Sequence, residues 1–382
     1  MFQSDPQSKI RLKNLSLEQM VQFVSEMGEK RFRARQIIKW LYQKRVSSFE
    51  EMTNMSKPVR AKLTQNCTVE KLEPRYVLES KYGDAVKFGF VLPGTEQKQF
   101  RITDKLRIAN SGTKNPPLGE QLVESVLLID DKRRTACVSS QLGCALGCTF
   151  CETGKLGFVR NLTQEEIIGQ LIGINDYLFT KGDRLVTNIV FMGMGEALSN
   201  FDNFRSSLEI IMDEDGFNIG ARRITVSSAG VVPSIERLMR ENLTIGLAIS
   251  LNAWNNEQRS LFMPINEKYP IEQLVAVAKR YFHRTGRRVT FEYVVIDGVT
   301  NTVEAADALK RLLGGFPCKV NLIALNPAGN NDHRSPEDRI VDRFAEELHR
   351  RDLAATVRRS RGQDIMGACG QLAGSVHRKK EM

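Results

Sequence analysis

No run of 18 or more apolar residues occurs in the 382-residue chain, so no membrane-spanning helix is expected. The N-terminus, Met1-Phe2-Gln3-Ser4-Asp5-Pro6, has no apolar core and does not read as a secretory signal. Acidic residues are in deficit: 45 Asp and Glu stand against 55 Lys and Arg, giving a net charge of +10 and a pI near 9.3. That excess favours a polyanionic partner, of which phosphate backbones are the commonest, and it equally fits a merely soluble basic surface. Seven cysteines make an odd count, and three of them crowd one short stretch, which suits a reducing, cytoplasmic compartment. What is present is ordinary: 41% apolar and 26% charged residues, enough to bury a large core without a metal to hold it. The length suggests one large domain with an appendage.

The crowded stretch is Cys144-Ala145-Leu146-Gly147-Cys148-Thr149-Phe150-Cys151, a Cys-x3-Cys-x2-Cys spacing. Thiolates suit zinc or an iron–sulfur cluster. A closed structural site wants four protein ligands, and this loop supplies three. On a 4Fe–4S cluster that leaves one iron open to a substrate or cofactor. A zinc loop borrowing a distant fourth ligand is the alternative.

Residues 1–72 read as helical, with Ser16 capping a helix from Leu17 and a second helical pattern over Gln36–Tyr42. Arg31, Arg33, Arg35, Lys39, Lys44 and Arg45 surround it, either as a solvated face or as an RNA-contacting module. Alternating segments at 75–79 and 86–91 predict a hairpin turning at Gly83-Asp84, followed by an exposed polar loop over 108–119. From about 121 a strand–helix rhythm begins. Apolar strands are expected at 136–138, 186–191, 224–226, 245–249, 289–295 and 320–324, with helices starting after Thr163, Ile271 and Glu337. Six alternations imply a parallel sheet covered by helices, in which chemistry sits at the C-terminal strand ends. The polar and glycine segments collect there: the cysteine loop, Gly193-Met194-Gly195-Glu196, Ser227-Ser228-Ala229-Gly230, Ser250-Leu251-Asn252 and Asn326-Pro327.

The cysteine spacing and this pattern resemble the radical S-adenosylmethionine (SAM) enzymes. More closely, Val138–Cys148, Met192–Glu196, Met263-Pro264-Ile265-Asn266 and Ala368–Gly374 resemble the adenine-C2 RNA methyltransferase family, through nearly the whole chain. The resemblance implies an α/β fold: a partial (β/α)6 radical SAM barrel with a small helical N-terminal domain and a short β extension. It divides the chain into a 1–72 helical accessory domain, a 73–120 β-hairpin linker, a 121–364 barrel and a 365–382 C-terminal loop and basic tail.

It also implies a 4Fe–4S cluster on Cys144, Cys148 and Cys151, with SAM chelated at the open iron. SAM contacts fall on Gly195, Glu196, Ser227, Ser250, Leu251, Asn252 and Asn326. The family usually has Pro where Ala197 stands and His where Asn252 stands.

In the resembled mechanism Cys369 takes a methyl group from one SAM, and a radical from a second SAM activates that S-methyl to attack adenine C2. Cys137 then resolves the adduct by forming a disulfide with Cys369, and Glu124 accepts the C2 proton. Read without the resemblance, Cys369 is a loop cysteine with no task, Cys137 a buried strand residue and Glu124 a surface carboxylate. Cys67 and Cys318 read as packing.

The implied substrates are an adenine of the peptidyl-transferase region of 23S rRNA and the adenine 3′ of the anticodon in tRNA, with an external electron donor and a monomeric enzyme. Arg358-Arg359-Ser360-Arg361, with Lys379 and Lys380, are candidate phosphate contacts. The rivals are methylation at adenine C8 of the same rRNA and a non-catalytic zinc and RNA-binding protein.

Overall fold

The computed structural model describes residues 9–92, 122–326 and 335–373. The polar stretch around 95–120, Pro327, Gly374, Lys379 and Lys380 lie outside the described residues.

Ten strands form one sheet: β1 (Pro74–Glu79), β2 (Ala85–Val91), β3 (Leu122–Ile129), β4 (Arg134–Cys137), β5 (Asn188–Phe191), β6 (Ile224–Ser228), β7 (Gly246–Ser250), β8 (Val289–Val295), β9 (Cys318–Ala324) and β10 (Ala355–Arg358). Their spatial order is their chain order. From β4 to β10 every neighbouring pair is parallel, and β1 to β4 pair antiparallel. Parallel strands need crossovers, and each gap from β4 to β10 is bridged by at least one helix. Runs such as Val289–Val295 are apolar along most of their length because both faces of such a strand are covered. The sheet curls: residues of β3, β4, β9 and β10 line one cavity, so the first and last parallel strands approach one another at its mouth.

The helix Gln164–Thr180 begins at Thr163, whose hydroxyl accepts from Glu166 N while the Glu166 carboxylate accepts from Thr163 N. Ser16 and Gln19 make the same reciprocal cap for the helix Leu17–Glu26. That N-terminal unit buries Met20, Phe23, Val24, Ile37 and Ile38 and docks on the barrel through ions. Arg35 pairs with Asp213 at 2.6 Å, Arg45 with Asp176 at 2.7 Å and Arg11 with Glu165 at 2.5 Å. Arg45, buried, and Arg35, still half exposed, both expected to face solvent or RNA, therefore serve docking, and Arg31, Lys39 and Lys44 are exposed.

Two strands of this sheet were not expected from sequence. The seventh parallel strand, β10, is only four residues long, Ala355-Thr356-Val357-Arg358. β3 carries Glu124 and Ser125 in its middle, and such a pair reads as a break in an apolar run. Both are buried and hydrogen-bonded, which satisfies the polar groups a core strand otherwise excludes. Through β3 the hairpin β1–β2 belongs to the same sheet as the barrel.

Candidate active site

The short strands Gln141–Gly143 and Phe158–Asn161 pair antiparallel and frame the cysteine loop just beyond β4. Its neck is closed by the Cys144 amide donating to Gly157 O at 2.9 Å. The Cys151 amide donates to Cys148 O at 3.1 Å, turning the chain back on itself. Burial pushes the Cys144 thiol up to about 11 and Cys148 up to about 12, and raises Cys151 as well. The neighbouring thiols add to the shifts of Cys144 and Cys148. Among the described residues no three side chains already converge as a metal-holding set.

The rim beside the loop is one connected network. Glu196 follows β5, its amide donates to Gln141 Oε1 at 2.8 Å, and its Oε2 accepts from Ala229 N at 2.8 Å. Its Oε1 is buried with no hydrogen-bond partner among the described residues. Burial raises the Glu196 carboxyl to about 7. A further hydrogen-bond donor, neutral or charged, would satisfy that oxygen. Gly193 and Gly195 make their close approach to protein: a Cβ on Gly193 would lie 2.5 Å from Ser139 Oγ, and one on Gly195, at φ +89, 2.4 Å from Gln141 Cβ. They seat the Glu196 turn against the strand leading into the cysteine loop.

Behind the rim lies Arg259, 0% exposed. Its guanidinium donates to Ala229 O at 2.6 Å, Ser250 O and Leu251 O at 3.1 Å, and Asn266 Oδ1 at 3.1 Å. One side chain thus ties the loops after β6 and β7 to the Met263–Asn266 segment. Its acceptors are carbonyls and an amide, and burial lowers it to about 10. Leu251 and Asn252 are both buried, and their amides donate to Glu292 O at 3.0 and 3.2 Å. Asn252 has φ +57, a conformation Asn tolerates, and its Oδ1 accepts from Val294 N at 3.2 Å. Ser227 and Ser250 sit half-buried at the ends of β6 and β7.

The segment after β10 returns across the barrel mouth. Asn326 Nδ2 donates to Cys369 O at 3.0 Å, Glu152 N to Gly370 O at 2.8 Å and Thr153 Oγ1 to Leu372 O at 2.6 Å. Asn326 here binds the Cys369 loop rather than standing free. Gly370 has φ +83, which strains any other residue, and a Cβ there would meet Phe150 O at 3.2 Å, so glycine eases the close approach of this loop to the cysteine loop. The result is a cavity of about 500 Å³ that Cys137, Cys369, Cys151 and Arg358 all line. Both Cys137 and Cys369 are free thiols. Burial first, then the nearby Cys369, pushes Cys137 up to about 12. Arg358 is raised chiefly by Cys369.

Glu124 is 0% exposed, against the surface position its residue type suggested. Its Oε1 accepts from Tyr76 Oη at 2.5 Å and pairs with Lys87 Nζ at 2.6 Å, and its Oε2 accepts from Ala373 N at 2.8 Å. Glu124 and Cys369 are thus joined through the C-terminal loop.

Four residues here escaped sequence reasoning. Lys87 stands in an apolar strand, Val86-Lys87-Phe88, and a charge there was the available signal. Tyr76, Arg259 and Arg358 carried none. Arg358 had been grouped with surface cations, yet of that cluster Arg359 pairs with Asp338 and Asp342, and Arg361 donates to Ile129 O.

The chain matches known proteins over nearly its whole length. Residues 10–69 match the family model described as the ribosomal RNA large subunit methyltransferase N-terminal domain, and residues 138–309 match the radical SAM superfamily. Over 372 residues, 96% of this chain and 94% of the relative, the chain is 41% identical to a dual-specificity RNA methyltransferase RlmN of Marinobacter nauticus. It is 40% identical to a radical SAM methyltransferase from Sphaerobacter thermophilus, whose crystal structure superposes with a TM-score of 0.84 over 96% of this chain and 100% of that one. Among the described residues no helix is long and apolar enough to cross a membrane.

Proposed function

The chain belongs to the RlmN family of dual-specificity RNA methyltransferases, with a radical SAM domain, and from that premise we propose that it methylates C2 of adenine in 23S rRNA and tRNA through a cysteine-borne methyl group. Membership implies a 4Fe–4S cluster and SAM. The residues present fit both: three thiols on one short loop hold the cluster, and the partnerless Oε1 of Glu196 suits the SAM ammonium. Ser227, Ser250, Leu251, Asn252 and Asn326 line the same rim for the rest of SAM. When bound, cluster and SAM supply a carbon-centred radical, the reagent needed because adenine C2 is too electron-poor to act as a nucleophile.

Everything else falls to side chains of this chain. Cys369, as thiolate, takes the methyl group by displacement, in a cavity that Arg358 also lines. The S-methyl then carries the carbon to C2. The adduct gives up one electron and its C2 proton, which Glu124 accepts. The Cys137 sulfur, shedding its own proton, then attacks the Cys369 sulfur, and the C–S bond breaks with its electron pair passing to the product carbon. That carbon takes up a proton to become the methyl group, and the disulfide that forms is reopened by the external reductant. Cys137, pushed up to about 12, remains a thiol until that last step. The observation that carries the reading is that Cys137 and Cys369, far apart in sequence, line one cavity beside the cysteine loop.

The test is nucleoside mass spectrometry of 23S rRNA and tRNA after anaerobic reaction with SAM and a reductant. 2-Methyladenosine is expected in both RNAs, and 8-methyladenosine without it would overturn the assignment. Anaerobically purified protein should be brown, and a colourless zinc protein would refute the cluster.

A further inference from the structure

The proton acceptor and the methyl carrier share a mechanical connection that the reaction scheme does not require. Glu124 divides its two oxygens between different parts of the molecule. Oε1 faces the hairpin, where Tyr76 of β1 and Lys87 of β2 hold it at 2.5 and 2.6 Å. Oε2 faces the C-terminal loop and accepts the Ala373 amide at 2.8 Å. Lys87 also donates to Met366 O at 3.2 Å, at the other end of the loop. The segment Met366–Ala373, with Cys369 in its middle, is thus gripped at both ends by one buried ion pair. Lys87 is 2% exposed and Glu124 0%, so water competes little for either contact.

We propose that Tyr76 and Lys87 are positioning residues that fix Glu124 through Oε1 and leave Oε2 to serve two partners in turn, the Ala373 amide when the Cys369 loop is seated and the substrate proton when it is not. With the loop seated, Oε2 is engaged and Glu124 is closed to substrate. When the loop lifts to present its sulfur, Oε2 gives up the Ala373 amide at the moment a base is needed. A protonated carboxyl is a weak acceptor and no longer pairs with an ammonium, so the loop stays released until Glu124 loses the proton. The last part rests on the reading of Glu124 as proton acceptor. The latch itself does not.

Hydrogen–deuterium exchange of the full-length holoenzyme, followed by mass spectrometry, reads the latch directly. Tyr76→Phe should speed exchange in the 366–373 peptide about threefold to tenfold, and Lys87→Met at least about tenfold, as the loss of one or two buried hydrogen bonds implies. The β8 peptide, 289–295, should exchange as in the wild type. Unchanged exchange of 366–373 in folded Tyr76→Phe protein would overturn the latch, as would a uniform rise that includes 289–295, since that reports general loosening. Should Lys87→Met not fold, Tyr76→Phe decides alone. Glu124→Gln separates the two claims: methylation at the wild-type rate would remove the base assignment, whereas the exchange data stand or fall independently of it.

Discussion

Two sets of cysteines serve this protein, and the chain brings them together in opposite ways. Cys144, Cys148 and Cys151 lie within eight residues on a loop closed by its own backbone hydrogen bonds. Cys137 ends β4 and Cys369 lies beyond β10, the first and last parallel strands. Only the curl of the whole sheet and the returning C-terminal segment put that second pair into one cavity. The first set is local chemistry that a short motif can encode. The second is tertiary, and one of its thiols rides on a loop seated by a few hydrogen bonds. The difference suits the roles proposed for them: a cofactor must stay, and a carrier must move.

Substitutions sharpen the contrast. Cys369→Ala should cut methylation by at least about a thousandfold while iron content and SAM binding stay at wild-type values, because the residue acts on the reaction rather than on the cluster. Cys148→Ala should lose the iron, and methylation with it. If Cys369→Ala also lost iron, the two sets would not be separable.

Arg259→Met probes the rim that stands between them. It orphans the carbonyls of Ala229, Ser250 and Leu251, and it should lower unfolding stability by about 2–4 kcal/mol and weaken SAM binding, measured by denaturant titration and calorimetry.

Glu196 gives a pH signature in cluster-free protein. Its folded value, about 7, lies above the ordinary 4.5, so the folded state holds the proton more tightly. The resulting stability is complete below about 4.5 and is lost as pH rises through 7, on the order of 3 kcal/mol in all. Glu196→Gln should flatten that slope, and an unchanged slope would assign it elsewhere.

The sequence made the local half of this picture readable. The strand–helix rhythm, the caps at Ser16 and Thr163 and the clustering of polar loops at strand ends depend on neighbours in the chain, and each has its counterpart in the structure. What stayed hidden depends on distant partners. Glu124 read as a surface carboxylate because nothing adjacent announces Tyr76 or Lys87. Arg35, Arg45 and Arg358 read as free cations because Asp213, Asp176 and the thiol cavity lie far along the chain. β10 was too short to register, yet it is the strand that delivers Cys369.

The direct test of the paired-thiol account is the fate of RNA in Cys137→Ala protein. Incubated anaerobically with SAM, reductant and tRNA, this variant should accumulate a covalent protein–RNA adduct that migrates slowly on a denaturing gel and maps by mass spectrometry to Cys369. Free 2-methyladenosine released at the wild-type rate, with no adduct, would contradict it.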